Sequence, residues 1–375
     1  MELKEKIPHK AALRELISAH ISATTAAVQE QVGHLEGEYT KFRRYHRISV
    51  LLISLAFLLP NLVVFVLGIY FTNLPLLWGY VIGILTGLAS LGFCGYYGGS
   101  LLLSGYDVIQ QFHKGVDKII FNKIFDLFEV KGELISHSIV IDDKPLDAKI
   151  SKWRQLYEIL RGHLHTLKHS PESDRVLELL GVSELITEPF NYTRIDNVFE
   201  IALGDAPLFV SELDVKNVVG SGKERQEKNI FKGYFISYTL KRTCQGKTFI
   251  STEGDLHGFA HRTYWTGLTV GDVEEIVFNW TDFENLLHVA TSNEAEARDI
   301  ITAVFMHDLY NWWSAQGTNI RISFVGDHLF MLFPDEQIRF EETISEIDEA
   351  KLQEYLLTVA EPLLNVLYLI EDVRV

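Results

Sequence analysis

Two apolar runs, residues 48–71 and 76–103, dominate the hydrophobic pattern of the chain. Neither contains a charged residue, and only Thr72-Asn73-Leu74-Pro75 separates them. Crossing a hydrocarbon core takes about 20 predominantly apolar residues, so each run is long enough to cross by itself. The four-residue separation then predicts an antiparallel helical hairpin. Ahead of it, Leu13, Ile17, Ile21, Val28, Val32, Leu35, Tyr39 and Phe42 fall mostly three or four apart, and Thr24 and Thr25 fill the one gap of seven. That is the period of an amphipathic helix. Gly33 and Gly37 weaken it, each by about 1 kcal/mol relative to Ala. The pattern predicts a helix packed on the rest of the chain or a short oligomer stalk.

Beyond the hairpin, residues 106–128 read as a helix with Val108, Phe112, Val116, Ile119, Ile120, Ile124, Phe125 and Phe128 on its apolar side. Residues 134–141 alternate loosely, as one strand would. Residues 147–167 repeat at helical spacing. From Arg194 the period becomes two, predicting strands at 198–203 and 208–213 around Gly204-Asp205-Ala206-Pro207. A polar loop at 217–229 leads to an aromatic strand, 230–240, expected to pair with 248–252 across Cys244-Gln245-Gly246-Lys247. Further strands are expected at 273–280 and 286–291. A helix over 294–313 should bury Ala297, Ile300, Ile301, Val304, Phe305, Leu309 and Trp312. Residues 320–325 and 328–333 flank Gly326-Asp327, a two-residue hairpin signal. An acidic link, 341–349, precedes a final helix carrying Leu352, Leu356, Val359, Leu363 and Val366.

This order predicts an α+β fold: an N-terminal amphipathic helix and a two-helix transmembrane hairpin, then a cytoplasmic domain with a mainly antiparallel sheet and flanking helices. The divisions expected are 1–47 (helical stalk), 48–104 (transmembrane hairpin) and 105–375 (acidic α+β domain).

Charge gives the hairpin a direction. Lys41, Arg43, Arg44, His46 and Arg47 precede the first run, Lys114, Lys118 and Lys123 follow the second, and the turn between them has no Lys or Arg. Basic flanks mark the cytoplasmic side, so both termini are expected there, at a bacterial inner membrane. Sequons at Asn191 and Asn279 would then go unglycosylated. Residues 106–375 hold 26 Lys/Arg against 44 Asp/Glu, a net of −18. Such a domain is repelled by phosphate backbones and anionic headgroups, which argues against nucleic acid as a partner. Two cysteines, Cys94 and Cys244, make neither a disulfide framework nor a zinc spacing.

Within the hairpin, Pro60 removes a helical hydrogen bond and Asn61 needs a partner in hydrocarbon. Gly79, Gly83 and Gly87, followed by Gly92, Gly95 and Gly99, form a smooth strip for close helix packing, within the chain or between copies. Homo-oligomerisation through the strip is the second of those options.

Three stretches resemble a bacterial membrane-anchored family catalogued as domain of unknown function 3137. They are residues 196–201 through 209–213, the Phe231-Lys232-Gly233-Tyr234-Phe235 strand, and residues 283–291 with Glu296-Ala297-Arg298, the following helix and the 324–333 hairpin. The resemblance implies a bacterial inner-membrane protein with a two-span anchor and a cytoplasmic domain. It supplies no catalytic residues, and residues 254–271 depart from the pattern.

Chemistry-bearing motifs are sparse. Glu253, Asp255, His257 and His261 form the densest set of acids and histidines, in a glycine-containing stretch where a hydrolytic metal site could be built. Their spacing matches no established ligand signature. His163 and His165 would point about 200° apart on a helix at roughly 100° per residue, leaving only His165 and His169 on one face. Gly220-Ser221-Gly222-Lys223 lacks the upstream glycine and the Ser/Thr of a phosphate loop. Glu296 and Arg298 read as a structural pair. No cofactor or metal is expected.

The function expected is therefore a membrane-tethered interaction or ligand-binding module, with the lipid bilayer and a cytoplasmic protein as partners. A membrane-bound enzyme, a metal-dependent hydrolase included, working through residues 253–261 is one alternative. An oligomeric membrane-disrupting or conducting element is another.

Overall fold

A computed structural model describes residues 8, 10–30, 33, 40, 44, 47, 48, 51, 115–136, 139–142, 171–186, 188–203, 206–219, 226–252, 273–316, 320–334 and 348–373. Within these, ten strands form one sheet: β1 (Lys131–Ser136), β2 (Ile139–Asp142), β3 (Tyr192–Leu203), β4 (Ala206–Val219), β5 (Gln226–Thr239), β6 (Lys247–Thr252), β7 (Glu274–Ile276), β8 (Leu287–Thr291), β9 (Arg321–Val325) and β10 (His328–Pro334). The order is β1-β3-β4-β5-β10-β9-β6-β8-β7, with β2 also paired to β3, and every pairing is antiparallel. Helices α1 (13–30), α2 (115–127), α3 (Pro171–Ser183), α4 (Thr281–Glu284), α5 (Glu294–Ile300), α6 (Ala303–Gln316) and α7 (Glu349–Val373) accompany it. The α+β class and the antiparallel sheet expected from the pattern are thus present.

Alternation explains why the central strands read as nearly continuous apolar runs. Along β10, Leu329, Met331 and Phe333 belong to one buried cluster, while Phe330 and Leu332 belong to another on the opposite face. A strand covered on both faces has no polar side. Gly326, at φ +62, makes the turn into β10, a conformation glycine adopts without strain.

One face carries most of the helices. Leu13, Ile17, Ile21 and Val28 of α1 are buried there, as are Thr24 and Thr25, so the amphipathic period holds through 13–28. Ser18 Oγ accepts from Gln353 Nε2 at 2.6 Å, tying α1 to α7. Between Val359 and Ile370, α7 is buried on almost every side, which places it inside the helical layer rather than on its surface. On the other face, α3 contributes Val176 and Leu180 to a cluster with Phe235, Phe249 and Phe330. Ser323 Oγ donates to the Ser183 carbonyl (2.7 Å) and Arg321 to that of Leu185 (3.1 Å), pinning the end of α3 to β9.

Several sequence expectations are corrected. The aromatic strand β5 pairs with β4 and β10; β6 pairs with β8 and β9, because the β9–β10 hairpin sits between them. The polar loop is shorter than 217–229, since β4 runs to Val219 and β5 starts at Gln226, with Lys216 opposite Asn229. Backbone pairing carries this end of the hairpin where side-chain pattern does not. Residues 134–141 contribute to two strands, β1 and β2, rather than one, and only Glu274–Ile276 of 273–280 is strand. The helix expected over 294–313 breaks at Ile301, and Thr302 Oγ1 accepts the Phe305 N–H at 3.2 Å to start α6. Val304, expected inside, is 56% exposed as a result. Helix α3 is an addition to the expected elements; Pro171 at its first position, Glu172 and Asp174 in the first turn and Val176 and Leu180 four apart are its signal.

Candidate functional site

The residues singled out by sequence fall largely outside the described set. Glu253, Asp255, His257 and His261 do, as do Asn61, Gly79, Gly83, Gly87, Gly95, Gly99, Lys41 and Arg43. Arg44 and Arg47 are helical and exposed. Residues 253–272 all lie outside the described set; β6 and β7, which precede and follow them in sequence, flank β8 in the sheet. Among the described residues no group of three or more His, Cys, Asp and Glu is placed to hold a metal ion. Glu296 and Arg298 do not pair with each other. Arg298 forks onto Glu294 (2.7 and 2.9 Å), one helical turn earlier, while Glu296 accepts backbone N–H groups elsewhere.

The polar group that the fold does assemble lies where α2 meets the sheet. Asn197 Nδ2 is 3.2 Å from Asp117 Oδ2 on α2 and 3.2 Å from Glu212 Oε2 on β4. One amide nitrogen carries two protons, so it can donate to both carboxylates. All three side chains are buried: Asp117 to 8%, Asn197 to 2% and Glu212 to 1% exposure.

The backbone explains how an asparagine comes to stand there. The β3–β4 register slips between Asp196 and Val198, and Asn197 has φ +47. This is a β-bulge, with the left-handed position occupied by the non-glycine residue type that tolerates it best. The slip also changes the phase of the strand. Ile195 and Val198 both join the α3-side cluster, and Phe199 and Ile201 turn to the other. Two polar residues interrupting apolar alternation, the second an Asn, are the sequence signal of this bulge.

Helix α2 lies along β3. Asp117 meets Asn197, the Phe121 ring is 3.7 Å from that of Phe199, and a Cβ at Gly132, which pairs with Ile201, would meet the Phe125 ring at 2.6 Å. Four helical residues advance about 6 Å and two strand residues about 6.6 Å, so the steps match. The start of α2 therefore points toward the Tyr192 end of β3. There, Lys216 bridges Asp214 (3.2 Å) and Glu227 (3.8 Å) and sits 5.6 Å from the Tyr192 ring centre. The cluster is a buried clamp in which the Asn197 amide holds one carboxylate of α2 and one of β4.

Residues 229–374 match the model of a family described as "Protein of unknown function (DUF3137)". The resemblance read from sequence therefore stands over this stretch. No curated protein matches the chain. One solved structure, described as the crystal structure of the mycobacterial trehalose monomycolate transport factor A, TtfA, is similar at a TM-score of 0.25 and 10% identity. The likeness covers 47% of this chain and 72% of that one, and at that score it carries no argument.

The DUF3137 stretch runs from β5 to the end of α7, while β1 to β4 complete the same sheet from outside it. At its centre Glu296 accepts the N–H groups of Gln245 (2.9 Å) and Gly246 (2.8 Å), and a Cβ on Gly246 would meet that of Asn293 at 2.6 Å. Cys244 beside them is buried, and loss of solvation, reinforced by Glu296, pushes its thiol pKa up. A raised pKa keeps the thiol protonated and inert. This is a structural junction between β6 and α5.

Proposed function

We propose that the protein is a membrane-tethered interaction module, its acidic α+β domain held at the cytoplasmic face by the hairpin of residues 48–104. One observation carries the reading. Helices α1 and α2, which precede and follow the two apolar runs, are buried in the same core. The chain leaves one folded unit, passes through two uncharged segments each long enough to span, and returns to the same unit. Among the described residues no helix is long and apolar enough to cross a membrane, and residues 52–104 lie outside them. The basic flanks support a cytoplasmic domain. Tethering raises the effective concentration of the domain toward anything else at that surface without new contacts.

Asn191 supports the same orientation. Its side chain donates to the Val218 carbonyl (2.9 Å) and accepts the Val218 N–H (2.8 Å), so a glycan on this nitrogen would break a paired arrangement. Alkaline phosphatase, active only after export, tests the topology. Fused after Asn73 it is expected to be active, and fused after Val375 inactive. Activity at Val375 would reverse the assignment.

A further inference from the structure

The segment from β7 through α4 meets the start of α6 at Trp280, His307 and Tyr310, and the two carry exposed apolar groups and an excess of acid. Trp280, half-buried, stacks on Phe283 (5.8 Å between ring centres) and on His307 (6.4 Å, 14° between planes), with the Tyr310 ring 5.2 Å away. Val304, a turn before His307, is 56% exposed, and Val277, three residues before Trp280, is 63% exposed. Both are among the few large apolar side chains that the described fold leaves in water. Around them, residues 273–308 carry eight Asp/Glu and a single Lys/Arg, Arg298.

Five of the eight are already committed, Asp308 among them at 3.7 Å from His307. Glu294 holds Arg298, Glu296 holds the Gln245–Gly246 backbone, Asp299 pairs with Arg242 at 2.6 Å and Glu275 with His288 at 3.0 Å. Glu274, Asp282 and Glu284 have no Lys or Arg partner among the described residues. In sequence Glu274 lies three residues before Val277, and Asp282 and Glu284 flank Phe283 of the Trp280 stack; Glu274 and Asp282 are exposed and Glu284 is half-buried.

We propose that this face docks a cationic segment of a partner protein, one with Arg or Lys alternating with apolar side chains. The inference rests on reading the domain as an interaction module, and it gives that module a surface and a partner chemistry. Aromatic residues concentrate binding energy at interfaces, and the half-buried Trp280 with His307 stacked on it supplies them here. Uncompensated acids steer a basic partner and penalise others. A phosphate-bearing surface would be repelled. A second copy meeting this face with its own would set acid against acid, because a two-fold contact is self-complementary.

The test uses the full chain in detergent and a fluorescein-labelled synthetic octapeptide of alternating Arg and Leu, read by anisotropy, with a Glu-for-Arg peptide as control. The Arg peptide binds, more weakly as salt rises, and the Glu peptide does not. The triple variant Glu274→Lys, Asp282→Lys, Val304→Ser weakens binding at least tenfold. Glu178→Lys, exposed on α3 across the sheet, leaves it unchanged. No binding of the Arg peptide, equal loss in both variants, or no loss in the triple variant overturns the proposal. So does self-association of the chain that the triple variant abolishes. The phosphatase fusions do not involve this face, so failure here leaves the tether standing and failure there leaves this surface testable.

Discussion

Asp117 and Asn197, 80 residues apart in sequence, meet at 3.2 Å in the interior, and the same Asn197 nitrogen reaches Glu212. The helix that follows the second apolar run is thereby fastened to the sheet by a buried polar contact at its first described turn, with Phe121 and Phe125 packing behind it.

Asn197→Gly keeps the left-handed backbone and loses the amide, which is expected to cost about 1–3 kcal/mol for stranded buried polar groups. Asn197→Ala adds roughly 1 kcal/mol for a Cβ in that conformation. Asn197→Asp puts a third carboxyl beside two and is expected to be the worst at neutral pH. Urea unfolding of the full chain, followed by circular dichroism, should rank them Gly, Ala, Asp in order of increasing loss. An Asp variant as stable as the parent would remove the clamp.

Gly132→Ala forces a Cβ to within 2.6 Å of the Phe125 ring, so the α2–β1 contact must open. Overpacking of this kind costs about 1–3 kcal/mol. Gly33→Ala, where a Cβ meets nothing, is expected to be neutral or slightly stabilising. Thermal melts of the two variants check the contrast.

Cys244 supplies a pH prediction. Burial raises its thiol above the ordinary value of 9.0, so the unfolded chain loses this proton first. The thiol's contribution to stability is complete below the unfolded value and is lost as pH rises through the folded one. In a Cys94→Ser background, urea midpoints should fall more between pH 8 and pH 10 for the parent than for Cys244→Ala. Ellman's reagent at pH 8 should react slowly with the folded chain and quickly in denaturant.

Thr302→Ala removes the oxygen that accepts the Phe305 N–H and should cost about 0.5–2 kcal/mol, the range for a lost N-cap. If α5 and α6 were one continuous helix, as the apolar spacing alone suggests, the change would be neutral or stabilising. Unfolding measurements on this variant separate the two.

Much of the fold was legible because its signals are local. The β9–β10 hairpin was announced by Gly326-Asp327 between apolar runs, and α1 by residues three and four apart that the fold does bury. What escaped reading depends on long-range partners. The bulge at Asn197 shifts the phase of β3, and β5 finds β10 rather than its neighbour β6 because a later hairpin inserts between them. The buried clamp was hidden for the same reason, since Asp117, Asn197 and Glu212 share no motif spacing. The apolar repeat alone places the exposed Val304 in the core, because nothing in it marks the break at Ile301.

Alkaline carbonate extraction of membranes tests the tether most directly, comparing cells that make the full chain with cells that make the chain lacking residues 48–104. The full chain is expected to remain in the membrane pellet and the deleted chain to appear in the supernatant. A full chain released by carbonate, or a folded deletion that stays in the pellet, would contradict a domain held at the membrane by these two runs.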